Sequence, residues 1–258
     1  MTSNKDLLVA ELNIKAVFPV LKVLLKDDPK TAEKFKDVNS NIVFRAKYEN
    51  GFVGANLIFN NGDLIVEPEP VEKADIIFTF GTVAKMNTFL KGGIALPSIK
   101  GFTNFKLLLN FITTLLMLKL MMPNVRPKDE HKKYLKVKLA LYMVSTALSK
   151  LNKIGHEEMN AWTSKQPDRI YQLSVSDSDI AVYLRVKAGK TKAGRGFYKR
   201  KRPFVHMKFS SVDGALKVLL KDAPFVEAVD KKYVKIEGSP EYANSINDFM
   251  MTIQGLIA

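Results

Sequence analysis

The sequence predicts an α+β protein made of two tandem domains, and three observations support this prediction. Short segments in which apolar and polar residues alternate are typical of strands, and longer segments with apolar residues every three or four positions are typical of helices. Both kinds of segment recur in the same order in each half of the chain. The 258 residues are 47% hydrophobic, which is enough for each half to bury a core.

The internal repeat is clearest where a strand precedes a short helix. The first copy reads IIFTFGTVAKMNTFLK over 76–91, and the second reads VHMKFSSVDGALKVLL over 205–220. Thr82 and Ser211 occupy the expected N-cap positions, where a hydroxyl can accept a hydrogen bond from the first helical turn. Three pairs of residues align at one spacing: Phe80 with Phe209, Val83 with Val212, and Leu90 with Leu219.

Each copy is predicted to close with a strand, a glycine and an apolar helix. Gly101 and Gly238 follow these strands at tight turns, where a residue without a Cβ atom is favoured. The first closing helix, over 102–120, carries a sheet-facing stripe and further leucines beyond it. Because a helix that is apolar nearly all round must be covered on several sides, we expect the second domain, a partner or a lipid against it. The two stripes are Phe105, Leu109, Ile112 and Leu116 in the first copy, and Tyr242, Ile246, Phe249 and Ile253 in the second.

Helices and a hairpin are predicted upstream of these elements in both copies. In the first copy a helix over 5–26 should kink at Pro19, because proline lacks the N–H that a helix needs. In the second copy a helix over 128–153 is followed by a shorter one around Trp162. The segment 122–128 holds two prolines and is the predicted linker, which gives domains at 1–122 and 123–258. The hairpin strands are predicted over 41–48 and 52–59, and over 170–175 and 179–186.

The second half resembles the sterol carrier protein type 2 family of lipid-transfer domains, called SCP2-like here. Four segments carry the resemblance. They are the strand VHMKF at 205–209, the helix SVDGALKVLLKD at 211–222, the strand VKIEG at 234–238 and the helix start SPEYA at 239–243. With the upstream strands, the resemblance extends over most of both halves, as two tandem SCP2-like domains.

The resemblance implies a five-stranded, mostly antiparallel sheet covered by helices on one face, with an apolar cavity between the two layers. It also implies noncovalent binding of a fatty acid, sterol or acyl-CoA-like ligand. The first copy departs from the pattern, because 91–99 is eight residues shorter than the matching stretch 220–236. The missing piece corresponds to 222–231, which in the family helps to frame the ligand tunnel. We therefore expect the second copy to hold the more complete pocket.

The expected function is noncovalent lipid binding, with lipid transfer as its extension. The alternative is a structural or protein-interaction module whose cavities are filled. For the first interpretation we expect ligand contacts from apolar residues of the cavity-facing helices. They are Met86, Phe89, Phe105, Leu109 and Ile112 in the first copy, and Leu216, Leu219, Phe225, Ile246, Phe249 and Ile253 in the second.

The chain is strongly basic, with 40 Lys+Arg against 26 Asp+Glu and a formal net charge of +14. Such a charge indicates anionic partners rather than a fold. The densest part, 187–202, is predicted as a basic hairpin, and three interpretations of it stay open. It could contact acidic membrane headgroups, bind the phosphates of nucleic acid or CoA, or form a solvated hairpin tip. Nucleic acid is the partner we favour least, and transient contact with an acidic membrane is assigned to Lys199, Arg200, Lys201 and Arg202.

No catalytic or metal-binding pattern stands out. The chain has no cysteine, which excludes disulfides, thiolate metal sites and cysteine nucleophiles. Its three histidines are scattered, and no zinc-protease, nucleophile-elbow or phosphate-loop motif occurs. We therefore predict no enzyme activity, no cofactor and no metal. The longest uncharged apolar run, 107–118, is shorter than the roughly 20 residues that span a bilayer. Without a signal-peptide pattern, a soluble cytoplasmic protein is expected, and its oligomeric state is left open.

Overall fold

A computed structural model describes residues 3–257 of the chain. These residues form two compact units, which divide between Lys119 and Leu120. Within the described residues each unit contains a five-stranded sheet and a set of helices. The predicted α+β class is therefore confirmed, with sheets that are mostly antiparallel and contain one parallel strand pair each.

The first unit begins with helices and continues into its sheet. Its helices are α1 (Asn4–Leu12), α2 (Leu21–Asp27), α3 (Pro29–Phe35), α4 (Val83–Leu90) and α5 (Phe105–Met117). Its strands are β1 (Asn39–Tyr48), β2 (Gly51–Asn60), β3 (Asp63–Glu67), β4 (Ile76–Phe80) and β5 (Ser98–Lys100). A 3₁₀ turn, Leu118–Met121, follows α5 at the boundary between the units.

The second unit repeats this plan with longer helices. Its helices are α6 (Glu130–Ile154), α7 (Glu157–Ser164), α8 (Val212–Leu219), α9 (Phe225–Asp230) and α10 (Pro240–Ile257). Its strands are β6 (Arg169–Val175), β7 (Ala181–Lys187), β8 (Lys190–Arg195), β9 (Val205–Phe209) and β10 (Val234–Gly238).

The two sheets have the same topology. The strand order is β3-β2-β1-β4-β5 in the first unit, and β8-β7-β6-β9-β10 in the second. The parallel pair is β1 with β4 in one and β6 with β9 in the other, and the remaining neighbours are antiparallel. The aligned residues fall at equivalent places, because Val83 and Val212 begin α4 and α8 while Leu90 and Leu219 end them.

The predicted N-terminal helix is interrupted at Pro19, as its sequence indicates. A π-helical turn spans Asn13–Val17, a 3₁₀ turn spans Phe18–Val20, and α2 begins at Leu21. Proline has no N–H to donate and its ring crowds the carbonyl of the preceding turn, so a regular α-helix cannot continue through it. The chain absorbs this defect by changing its hydrogen-bond spacing on both sides of the proline.

Aromatic rings hold the core of the first unit. Phe44 of β1 is fully buried, and its ring centroid lies 5.3 Å from Phe18, 4.9 Å from Phe80 and 5.9 Å from Phe89. These contacts fix the N-terminal helices and α4 against the sheet. In the second unit the half-buried ring of Trp162 on α7 lies 5.2 Å from the ring of Tyr171.

The sequence difference between the copies is a structural difference as well. The extra residues of the second copy form α9, whereas the first unit passes from α4 to β5 through a short loop, 91–97. This loop contains Ile94 and Leu96, whose side chains are 98% and 85% exposed. The shorter connection therefore leaves apolar side chains on the surface of the first unit.

Candidate functional site

The first unit contains an apolar cavity of about 190 Å³. It lies between the end of α4 and the C-terminal half of α5. The left-handed φ of +81° at Gly92 turns the chain along its wall, a conformation that glycine adopts without strain. The lining residues are Phe89, Leu90, Gly92, Gly93, Ile112, Leu115, Leu116, Leu118 and Lys119. Of these, Lys119 alone is charged, and its side chain is exposed. Its amine could therefore contact an anionic group of a ligand.

Helix α5 carries two apolar stripes with different environments. The buried stripe packs against the sheet through Phe111, whose ring lies 5.5 Å from Phe78 and 6.2 Å from Phe59. The other stripe is open to solvent, with Phe105 68% exposed and Leu109 and Leu116 each 50% exposed. The buried residues of the helix are Leu107, Leu108, Phe111, Thr114 and Leu115.

This arrangement corrects the expected orientation of the helix. The stripe expected to face the sheet, Phe105, Leu109, Ile112 and Leu116, is the outward one in the first unit. In the second unit the matching positions Ile246, Phe249 and Ile253 are buried. The physical reason is helical phase. Helix α5 begins four residues after Gly101, whereas α10 begins two residues after Gly238, and each residue of helix turns its side chain by about 100°.

The second unit has a much smaller cavity, of about 50 Å³. It lies between α6, α8 and α10, and four methionines contribute to its wall. The lining residues are Met121, Lys136, Ala140, Met143, Val144, Val218, Leu219, Asn247, Met250, Met251 and Gln254. This apolar cavity is smaller than that of the first unit, because core side chains fill the space. The second unit also has an open, more polar groove of about 570 Å³, lined by Asn152, Lys153, Asn160, Ser164, Gly189, Lys190 and Thr191.

Lys136 is a buried cation beside this small cavity. Its side chain is 2% exposed, and its Nζ donates hydrogen bonds to the carbonyl oxygens of Leu120, at 2.5 Å, and Met122, at 2.7 Å. Burial lowers the pKa of Lys136 to about 8, and the nearby Arg126 adds to the lowering. A lysine that bonds carbonyls at the end of a helical turn compensates part of its lost hydration.

The predicted ligand residues divide between cavity, stripe and core. Phe89 and Ile112 line the larger cavity, and Leu219 lines the smaller one. Phe105 and Leu109 lie on the exposed stripe of α5. The remaining residues are core or half-buried packing residues that line neither cavity: Met86, Leu216, Phe225, Ile246, Phe249 and Ile253. The sequence did not indicate Gly92, Gly93 or Lys119, because periodicity reports faces of helices and not the voids between them.

The basic residues Lys199, Arg200, Lys201 and Arg202 are all exposed. They do not form a hairpin tip, because the turn at Ala188 and Gly189 joins β7 to β8 and these four residues lie in the connection from β8 to β9. Lys201 is 3.4 Å from the carboxylate of Asp168, which Arg185 also binds through two hydrogen bonds. These partners, Arg185 first, lower the pKa of Asp168 to about 2.

One polar pair is absent from the sequence-based expectations. The Oγ of Ser174 lies 2.8 Å from Nε2 of His206, the spacing of a hydroxyl and a general base. Burial, with Lys208 nearby, lowers the pKa of His206. Ser174 is 4% exposed and His206 is half-buried, and neither residue lines the cavities described above. Adjacent parallel strands bring these residues together, and no motif signals it.

Two further properties concern metals and membranes. Among residues 3–257, no group of three or more histidine, aspartate or glutamate side chains is arranged to hold a metal ion. No helix in the described part of the chain is both long and apolar enough to cross a bilayer.

Comparison with known proteins gives only distant likenesses. No family model matches the sequence, and no curated protein matches it. A solved structure titled UbiJ-SCP2 ubiquinone synthesis protein aligns with 44% of this chain and 93% of its own, at 8% identity and a TM-score of 0.31.

Two structures of a sec-alkylsulfatase, Pisa1 from Pseudomonas sp. and a double mutant of it, are also similar in part. Each aligns with 64% of this chain at 10% identity, with TM-scores of 0.28 and 0.29. This chain spans 31% of the length of either sulfatase chain. At these TM-scores none of the likenesses carries an argument about function.

Proposed function

We propose that this chain binds an acyl chain noncovalently at α5 of the first unit, and that binding rather than catalysis is its activity. The observation that carries the proposal is that the apolar cavity continues onto the exposed stripe of α5. Ile112 and Leu116 belong to both the cavity and the stripe, because they line the cavity and follow Leu109 along the outward face of the helix. An elongated apolar ligand could place its end in the cavity and its remaining length along the stripe.

The size of the cavity favours an acyl chain over a sterol. An apolar cavity of about 150 Å³ accepts a molecule the size of benzene, and sites for drug-sized ligands occupy about 300–1,000 Å³. At about 190 Å³ the cavity fits several methylene groups and not the four-ring body of a sterol. Each buried methylene contributes about 0.8 kcal/mol, so partial burial of the chain suffices for binding. Lys119 at the cavity suits the carboxylate of a fatty acid or the phosphates of an acyl-CoA.

The second unit fits the alternative role of a structural module. Its apolar cavity is small, and four of the residues expected to bind ligand there, Leu216, Ile246, Phe249 and Ile253, are buried in its core. We propose that the two units arose by tandem duplication, with copies at 1–122 and 123–258, and that the second copy has a structural role. Its exposed basic residues Lys199 to Arg202 stay a candidate surface for acidic membrane headgroups.

The lipid-binding proposal predicts that filling the cavity removes binding. Ile112→Trp should weaken uptake of a fluorescent fatty acid at least about tenfold, because the indole occupies space that several methylenes would otherwise fill. The matched control is Ile65→Trp, at a half-exposed position on the edge strand β3 of the same unit. Binding is measured by fluorescence titration, and lipid extracted from the purified wild-type protein is identified by mass spectrometry. Equal affinities of the two variants, or a wild-type protein that neither carries nor takes up lipid, would contradict the proposal.

A further inference from the structure

Apolar side chains at the two ends of β5 are unusually exposed. Ile94 and Leu96 precede the strand at 98% and 85% exposure, and Phe102 and Phe105 follow it at 61% and 68%. We call these four residues the β5 apolar surface. Single exposed apolar residues are ordinary on proteins. Four large ones within twelve positions indicate a surface that contacts an apolar partner.

Lysines predominate in the sequence around this surface, although the exposed Asp75 lies against Gly101. Between Asp75 and Asp129 the sequence contains no acidic residue. Lys100 lies at the end of β5 and Lys106 in the first turn of α5, and both are exposed. The lysines of this stretch within the first unit are Lys85, Lys91, Lys100, Lys106 and Lys119. A surface that combines exposed apolar side chains with lysines complements an anionic, apolar partner.

The β5 apolar surface belongs to folded backbone. Strand β5 pairs with β4 in the register Ile77–Lys100, Phe78–Ile99 and Thr79–Ser98. The amide of Asn104 donates to the carbonyl of Gly101, which closes the turn before α5. Ile94 and Leu96 lie in the loop that leads into this paired strand, Phe102 lies in the turn after it, and Phe105 begins α5.

We propose that the β5 apolar surface docks the first unit onto an acidic lipid bilayer. Insertion of apolar side chains below the headgroups, combined with attraction of nearby lysines to anionic lipids, is the physical basis of interfacial binding. A second copy of the chain is a poorer occupant, because both copies carry a net charge of +14 and would repel each other. The inference goes beyond acyl binding, since none of the four residues lines the cavity and Phe105 alone belongs to the α5 stripe.

The test measures binding to vesicles of phosphatidylcholine, with and without phosphatidylserine. The double variant Ile94→Ser with Leu96→Ser is expected to lower the partition onto phosphatidylserine vesicles at least tenfold. Lys100→Gln with Lys106→Gln should lower it as well, and added salt should weaken wild-type binding. Ile65→Ser is the matched control and should bind like the wild type. Circular dichroism verifies that each variant is folded, which is expected because the replaced side chains are exposed.

Two further measurements separate this proposal from its competitors. The Ile94, Leu96 variant should keep fatty acid uptake in solution, and Ile112→Trp should keep vesicle binding, so the two proposals can fail independently. Loss of vesicle binding on neutralising Lys199 to Arg202, with no loss in the Ile94, Leu96 variant, would overturn the assignment in favour of the β8–β9 connection. A wild-type dimer that this variant converts to a monomer, without vesicle binding by either, would instead identify the surface as a contact between copies.

Discussion

Replacing Gly101 or Gly238 by alanine is expected to destabilise the unit that contains it by about 3 kcal/mol or more. Both glycines have a left-handed φ, +91° and +101°, which an L-residue adopts only with strain. Each also approaches the backbone of another segment. An added Cβ would lie 1.9 Å from the carbonyl oxygen of Asp75 at Gly101, and 2.0 Å from that of Phe204 at Gly238.

The obstructing backbone cannot easily move away, which is why the expected effect is large. The amide of Asp75 donates to Asn41 at 3.0 Å, and the amide of Phe204 donates to Ile170 at 2.8 Å. These bonds lead directly into the parallel strand pair at the centre of each sheet. A shift of the carbonyl would therefore strain β1 with β4, or β6 with β9.

Two other glycines provide matched controls that separate the backbone strain from the close approach of an added Cβ. Gly155 ends α6 with φ +94° and has no atom within 4 Å of an added Cβ, so Gly155→Ala isolates the backbone strain, about 1 kcal/mol. Gly255 lies within α10 with equally open space, and Gly255→Ala is expected to stabilise by up to about 1 kcal/mol.

The measurement can be made for each unit. Trp162 is the chain's single tryptophan, and it packs 5.2 Å from Tyr171 and 5.4 Å from Phe249, so its fluorescence during urea unfolding reports the second unit. Amide hydrogen exchange in β1 and β4 reports the first unit. If Gly238→Ala shifted the Trp162 transition no more than Gly155→Ala, the close approach to Phe204 would contribute nothing to stability.

The elements that sequence reasoning predicts best are those with their own local signal. Thr82 and Ser211 are the N-caps of α4 and α8, and their side chains accept hydrogen bonds from Lys85 and Gly214 as the pattern predicts. Gly101 and Gly238 follow the closing strands, where the backbone requires them. At each of these positions the local backbone favours one kind of residue, so the residue itself predicts the helix cap or the turn.

The sequence does not give the bounds of the edge strands β3 and β8. Strand β8 reads KTKAGR, and its charged residues match the composition of a loop. Edge strands carry such residues because one side of the strand faces solvent, and this weakens the apolar alternation by which strands are recognised. Pairing with a neighbouring strand defines these segments, and a single sequence does not display that pairing.

The candidate site could be predicted only in part, for a related reason. Helix α5 has two apolar stripes. The spacing of its apolar residues therefore predicts a helix but does not show which stripe faces the sheet. The turn of 101–104 sets that rotation and exposes Phe105 and Leu109, whereas the matching residues of α10 are buried. Cavity volume depends on how side chains of different elements fit together, which is decided by packing and not by the pattern of any one element.

Wild-type stability relative to Lys136→Met is expected to rise by about 2 kcal/mol between pH 7 and pH 10. The pKa of Lys136 is about 8 in the folded protein, against 10.5 for an unperturbed lysine. Between these two values the unfolded chain binds more protons than the folded protein, so the free energy of unfolding increases with pH. Below pH 8 both states are protonated, and the folded protein bears the cost of a buried charge.

The methionine variant removes this titration while filling a similar volume. At pH 7 it should be close to wild type in stability, because losing the hydrogen bonds to Leu120 and Met122 is offset by removing the buried ammonium. At pH 10 the amine of Lys136 is neutral and still donates those hydrogen bonds. The wild type should then be more stable than Lys136→Met. The effect therefore comes from the charge and not from the shape of the side chain.

Urea unfolding monitored by Trp162 fluorescence across this pH range measures the difference. The control is Lys132→Met, which removes an exposed lysine of the same helix. A difference between wild type and Lys136→Met that does not change with pH would mean that the Lys136 ammonium is hydrated in the folded protein, in conflict with its burial beside the methionine-lined cavity.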